Sequence, residues 1–339
     1  MSTPEPSDPR AEARTAWTRA MLRDERAEPV RASVDAGFRS YWRAQSADGS
    51  RIVMDSPPDK EDVRPWLRIR DLLEAGGVRV PRVLAQDVEA GFLLLEDLGA
   101  ETYLRVIDAG NADALFDDAV AQLLKLQAIP PPADLPAYDE ALLARELRLF
   151  DEWFCGRHLG MALDCGDMEA LDGAYRVLID TALAQPQVLV HRDFMPRNLM
   201  PASDGPAVLD FQDAVRGPIA YDALSLFKDA FLGWPEERVD AWLDRYHARA
   251  VDAGLPVPVR ARFRRDADLI GIQRHLKVIG IFARLDHRDG KPKYLTDVPR
   301  FFAYLDAVLP KYPQLAGLQG FIADKVKPAI ARHAAVAGE

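Results

Sequence analysis

Cysteine is almost absent: the 339 residues hold only Cys155 and Cys165. Two thiols without paired metal-type spacing are too few to staple a secreted fold, so the expectation is a pair of reduced thiols in the cytoplasm. Basic charge is also short. Lys and Arg number 43 against 53 Asp and Glu, a net charge of −10. That excludes a general nucleic-acid binder, because a phosphate backbone demands a basic face. No apolar run approaches the roughly 20 residues of a membrane-spanning helix, and the opening stretch MSTPEPSDPRAEAR carries no apolar segment of the signal-peptide kind. Internal repeats and low-complexity tracts are missing too. What remains is an ordinary soluble composition, 48% hydrophobic and 28% charged, on a chain long enough for two lobes.

The chemistry concentrates in Gln187–Gln212, QVLVHRDFMPRNLMPASDGPAVLDFQ. A short apolar run, Val188-Leu189-Val190, feeds into His191-Arg192-Asp193. Asn198 follows at the H-R-D-x-x-x-x-N spacing, and a turn-rich segment leads to a second apolar run ending in Asp210-Phe211-Gln212. Phosphoryl transfer needs an Asp beside the attacking hydroxyl and oxygen ligands that hold Mg²⁺ against nucleotide phosphates. Asp193 fits the first role, Asn198 and Asp210 the second. A lone H-R-D arises by chance; the full set behind two strand signals does so far less often.

In chain order, Met1–Ala11 reads as disordered and Arg14–Arg26 as a short helix. Strands are expected at Pro29–Val34, Phe38–Ala44 and Arg51–Asp55, with Asp35–Phe38 and its Gly37 as the turn that covers phosphates. Asp62 caps a helix whose Val63, Trp66, Ile69 and Leu73 share a face and which Gly76-Gly77 ends. Val83–Val88 and Gly91–Leu95 pair as further strands. Past Asp113 the periodicity is helical, with core stripes in Phe116–Leu126 and Leu142–Phe154. These signals give an N-terminal lobe at residues 1–97, five strands plus a helix, and a helical C-terminal lobe at 98–339, with a nucleotide expected in the cleft between them. Asp222 is expected to be buried, accepting backbone N–H groups of the catalytic loop. Residues 262–300 carry ten Lys/Arg against five Asp. A solvated helix face and a pocket for an anionic or hydroxyl-rich substrate both remain open there, the second using Arg274 and His275.

The pieces VHRDFMPRNLM, LDFQDAVRGPIAYDALSL and FLLLEDLG resemble the aminoglycoside phosphotransferase family of small-molecule kinases from about Arg14 onward. The resemblance implies an α+β, two-lobed protein-kinase-like fold. It also implies Asp193 as base, Asn198 and Asp210 as Mg²⁺ ligands, and a hinge around Glu96–Leu98 whose backbone holds the adenine of ATP. IVMDSPPDKED, DFMPRNLM and Gln273–Phe301 are similar to the bacterial anomeric sugar kinases of cell-wall recycling. They imply an amino-sugar acceptor, N-acetylmuramate or N-acetylglucosamine, phosphorylated at its C1 hydroxyl; with the charge and hydropathy above, the expectation is a cytoplasmic monomer with no nucleic-acid or membrane partner. Aminoglycoside, choline or another small alcohol is the alternative acceptor, and a catalytically silent module the alternative class. The pattern departs from the family at the third strand, where Met54 stands in place of the expected lysine. Arg39 and Arg43, four apart and so on one strand face, are the candidate replacements.

Overall fold

The structure, a computed structural model, describes residues 8–33 and 38–337, with side chains through His333 and its two followers. Gly37 and most of the expected phosphate turn lie outside the described residues. In chain order the elements are α1 (Pro9–Leu22), β1 (Val30–Ser33), β2 (Ser40–Ser46), β3 (Gly49–Asp55), α2 (Arg64–Ala75), β4 (Val83–Asp87), β5 (Phe92–Glu96), α3 (Tyr103–Val106), α4 (Ala112–Ala128) and α5 (Glu140–Leu149). A π-helical turn, Phe150–His158, continues α5. Then follow α6 (Cys165–Leu183), β6 (Gln187–Val190), β7 (Leu199–Met200), β8 (Ala207–Val208), β9 (Val215–Pro218), α7 (Ala220–Phe227), α8 (Glu236–Asp252), α9 (Arg260–Asp289), α10 (Val298–Val308), α11 (Ala316–Phe321) and α12 (Lys327–Ala337).

These elements form two compact units. The first joins the chain up to Asn111 with Pro196–Gln212; the second joins Ala112–Met195 with the chain from Asp213. The sequence boundary at residue 97 therefore falls inside the first unit, and the hairpin bearing Asn198 and Asp210 folds with the N-terminal strands.

The first unit is built on an antiparallel sheet in the order β1-β2-β3-β5-β4. The unbroken apolar run Phe92–Leu95 is buried on both faces, as a central strand requires. Its expected five strands are present within a few residues of the sequence reading. Helix α2 buries Trp66, Ile69 and Leu73, the face its periodicity predicts, and Gly77 closes it with φ 77°, a left-handed turn that glycine adopts without strain. Helix α1 starts five residues earlier than expected. Asp8 accepts the Arg10 N–H (2.9 Å) and Pro9 occupies the first helical position, so the stretch from Pro9 to Ala11, read as disordered, is helical instead. From α1, Arg10 and Arg14 converge on the buried Asp55 at the end of β3 (2.7 and 2.8 Å).

The second unit is helical around α9, 30 residues long, most of whose stretch from Asp266 to Ala283 is buried. It packs on α5, the π-helical turn, α6, α7 and α10. Close approach has one clear cause: a Cβ on Gly280 would lie 2.3 Å from the carbonyl carbon of Leu149. Strands β6 and β9 pair antiparallel, Val188 opposite Gly217, and deliver the chain into the catalytic loop. No helix among the described residues is long and apolar enough to cross a membrane. Cys155 and Cys165 are both free thiols.

Candidate active site

Within the first unit, a cavity of about 340 Å³ is lined by Ile52, Glu96, Leu98, Gly99, Asn198 and Asp210, among others. That volume falls in the range of small-ligand sites. One wall is the hinge segment after β5, the other the β7–β8 hairpin. The hairpin is only two residues a side, Leu199 opposite Val208 and Met200 opposite Ala207, yet it fixes both Asn198 and Asp210. Leu209 N–H donates to the Asn198 carbonyl (2.9 Å), so Asp210 emerges beside Asn198. Asp210 then takes φ 62°, an αL conformation uncommon for a residue with a side chain. Its carboxylate accepts from Gln212 Nε2 (2.9 Å), while Phe211 is fully buried against Trp66 of α2 with ring centroids 5.1 Å apart.

Arg79 anchors this hairpin to the hinge. Its carbonyl accepts Val208 N–H (2.8 Å) and its guanidinium binds Asp204 (3.0 Å) and both carboxylate oxygens of Glu96 (2.9 Å to Oε2). Arg82 N–H adds a bond to Glu96 at 2.7 Å. Burial alone would raise the Glu96 pKa, but Arg79 and the Arg82 N–H outweigh it and hold the carboxyl below its usual range. The Glu96 side chain is thus structural, committed to Arg79 and the Arg82 N–H.

The two candidate cations separate. Arg43 lines the cavity, but its Nε and one Nη grip Asp97 (2.5 and 3.0 Å) and the same Nη bonds the Gly99 carbonyl (2.7 Å). Ser50 Oγ and Gly99 N–H also serve Asp97. Arg39 lies off the cavity wall, its side chain 10% exposed and paired with Glu61 (3.1 Å). Sequence parity could not distinguish them. Arg197, overlooked in the sequence, is the other cation lining the cavity; its signal was its place next to Asn198 in the motif.

In the second unit the catalytic loop leaves β6 in an unusual way. Arg192 has φ 76°, and Asp222, fully buried on α7, holds the turn by accepting His191 N–H (2.7 Å) and Arg192 N–H (3.0 Å). This is the contact the sequence anticipated for Asp222. Burial pushes its pKa up to about 6, a shift limited by His191 and the two backbone donors.

Around Asp193 lies a polar network inside the helices. Arg274 Nη1 stands 3.6 Å from the Asp193 carboxylate, which is 43% exposed, and donates to the Arg192 carbonyl (3.1 Å) and Tyr221 hydroxyl (3.2 Å). Lys277 Nζ binds Glu146 (2.9 Å) and Tyr221 (3.1 Å). Glu146 also takes Arg192 (2.5 Å), Gln273 (3.3 Å) and the Tyr138 hydroxyl. Desolvation would raise the Asp193 pKa, but Arg274 first, then Lys277, lower it below the ordinary carboxylate range. Asp193 is therefore ionised at neutral pH, the form that accepts a proton. Glu146 is held low in the same way, burial being outweighed by Lys277 and Arg192. His275 faces elsewhere: it stacks on Tyr304 (4.9 Å between centroids) beside Phe301, and burial with Lys228 nearby keeps it neutral. Arg274 is brought to Asp193; His275 is not.

Asn198 and Asp210 suit a hard divalent cation: an amide and a carboxylate open to one cavity, few enough to leave positions for waters and phosphate oxygens, as Mg²⁺ demands. A strand-rich unit bearing this cavity and a helical unit bearing H-R-D define a kinase-like phosphotransferase. The sequence profile of the phosphotransferase enzyme family matches residues 29–264, and the chain belongs to that family. It is 55% identical over 294 residues to an N-acetylmuramate/N-acetylglucosamine kinase of Pseudomonas putida, covering 86% of this chain and 87% of that one. It is 44% identical over 301 residues to a kinase of the same name from Neisseria meningitidis serogroup B, with 87% and 90% coverage. Among solved structures it resembles a choline/ethanolamine kinase family protein from Mesorhizobium loti, TM-score 0.61 at 16% identity over 91% of this chain and 98% of that one. The ADP-bound aminoglycoside phosphotransferase APH(2'')-Ib gives TM-score 0.59 at 16% identity, over 88% and 98%. These structural likenesses establish the fold.

Proposed function

We propose that the chain is an ATP-dependent sugar kinase that phosphorylates the anomeric C1 hydroxyl of N-acetylmuramate or N-acetylglucosamine, yielding a sugar 1-phosphate for cell-wall recycling and nucleotide-sugar synthesis. The observation that carries the acceptor class is the 55% identity to a kinase named for these two sugars, across most of both chains. The net-positive stretch at 262–300 agrees with a neutral or anionic acceptor rather than a cationic one.

In this reading the hinge backbone around Leu98 takes the adenine. Asn198 and Asp210 hold Mg²⁺, which when bound offsets charge on the β- and γ-phosphates. Asp193, ionised beside Arg274, accepts the C1 hydroxyl proton as that oxygen bonds to the γ-phosphorus and the bond to the β-phosphate oxygen breaks, releasing ADP. An anomeric hydroxyl is more acidic than an ordinary alcohol, so a carboxylate of low pKa suffices as base. Arg274 both lowers that pKa and fixes the Arg192 carbonyl one residue away.

The test is phosphorus NMR on the protein with Mg-ATP and a panel of amino sugars, aminoglycosides and choline. The expected product phosphorus couples to an anomeric proton and forms from the N-acetylated amino sugars. Transfer to an aminoglycoside or choline in preference overturns the acceptor; ATP untouched by every acceptor overturns the kinase reading.

A further inference from the structure

Three of the chain's six histidines meet at one place in the helical unit, although they come from distant parts of the sequence. His158 ends the π-helical turn, His287 lies in the last turn of α9, and His333 sits in α12. His158 Nδ1 is 3.3 Å from His287 Nε2. The His158 and His333 ring centroids are 4.5 Å apart. Asp286 brings a carboxylate oxygen 3.9 Å from His287 Nε2, and one ligand atom from each of His158, Asp286 and His287 falls within 4.8 Å of the others.

A hydrogen bond between two imidazoles explains the 3.3 Å contact alone. It does not explain the Asp286 carboxylate brought to the same point, with the His333 ring packed 4.5 Å from that of His158. Tetrahedral Zn²⁺ with bonds of ~2.0–2.1 Å sets neighbouring ligand atoms about 3.3–3.4 Å apart, the separation found between His158 and His287. We propose that His158, Asp286 and His287 form a site for a Zn²⁺-class divalent cation, with His333 supplying the fourth ligand. Two or three nitrogens plus one oxygen suit zinc and disfavour Mg²⁺, which takes oxygen ligands. The site is separate from Asn198 and Asp210, which belong to the other unit, and its role is structural: four closed positions clip α12 to α9 and to the π-helical turn.

The experiment uses the full chain without a histidine tag, stripped of metal by chelation and titrated calorimetrically with ZnCl₂ or MgCl₂ in the absence of nucleotide. The expected result is one Zn²⁺ per chain with micromolar or tighter affinity, a melting temperature raised by Zn²⁺, and neither effect with Mg²⁺. His287→Asn, at a partly exposed position, should weaken Zn²⁺ binding at least about 10-fold, and His158→Ala/His287→Asn should abolish it. Mg-ATP turnover of His287→Asn should match the unsubstituted protein. Sub-stoichiometric Zn²⁺ binding, or binding that survives in His287→Asn at full affinity, overturns the site. Should the double variant fail to fold, His333→Ala decides. Loss of affinity with the fold retained supports the four-ligand arrangement, and unchanged affinity removes His333 from it.

Discussion

The two units handle charge in opposite ways. Around the cavity of the strand-rich unit, guanidiniums are spent on carboxylates, Arg43 on Asp97 and Arg79 on Glu96 and Asp204, while Arg10 and Arg14 share the buried Asp55 away from it. The pairs around the cavity brace the segment after β5 and the β7–β8 hairpin. In the helical unit, Glu146, Lys277 and Arg274 are almost fully buried, and the field of Arg274 and Lys277 falls on Asp193. The first arrangement is a set of staples that could be loosened one at a time; the second is a single electrostatic body. Removing one partner of a buried pair strands the other without water or counter-charge, whereas a half-exposed pair is partly replaced by solvent.

The sharpest test sets Asp193 against Asp210. Asp193→Asn should lower kcat by about 10³-fold while leaving ATP affinity and its Mg²⁺ dependence nearly intact, because an amide cannot accept the proton. Asp210→Ala should abolish turnover and erase the Mg²⁺ dependence of ATP binding. Steady-state kinetics and ATP titrations with and without Mg²⁺ separate the two. Next in size, Glu146→Ala should cost on the order of 3–5 kcal/mol in urea unfolding, since it leaves Arg192 and Lys277 facing each other in the interior. A loss below ~1 kcal/mol would mean the network does not act as one body.

Asp222 gives a pH signature. Its folded pKa, about 6, lies above the ordinary carboxyl value of 3.8, so the folded state binds the proton more tightly than the unfolded chain. Its contribution to stability is complete below about pH 4 and is lost as pH rises through 6, a difference on the order of 3 kcal/mol. The stability of the unsubstituted protein minus that of Asp222→Asn, measured by denaturant melts, should fall over that window and be flat above it. A rise over the same range would reverse the sign and refute the assignment. Smallest of all, Arg43→Ala should raise the KM for ATP about 10-fold by releasing Asp97 and Gly99, with Arg43→Lys recovering part, while Arg39→Ala leaves ATP kinetics unchanged. Equal effects from both arginines would show that the hinge staple is not what matters.

Much of the scaffold was legible because it rests on short-range signals. The strand runs, the periodicity of α2 and the H-R-D-x-x-x-x-N spacing are all local, and Asp222 could be read from its place just past the second carboxylate. The rest depends on pairings across long stretches of chain. Glu146 meets Lys277 and Arg192, and Arg79 meets Asp204, at separations no periodicity encodes. Arg274 and His275 are neighbours in sequence but about 100° apart around α9, so one faces Asp193 and the other Tyr304. The basic stretch thus divides, some of its charges buried at the catalytic loop and others, such as Arg288, at the surface. At α1 the misreading was of Pro9, a helix starter assigned to a disordered end.

Gly280 links mutation to proton affinity. It lies one helical turn beyond Lys277, and Leu149, which its missing side chain allows to approach, lies one turn beyond Glu146. A single added methyl, the smallest change a codon can make there, would act as a spacer between α9 and α5. It would lengthen the Lys277–Glu146 contact without touching a charged atom. The low proton affinity of Asp193 is thereby tied to a steric constraint: two backbones packed too closely to admit a methyl keep Lys277 at its post.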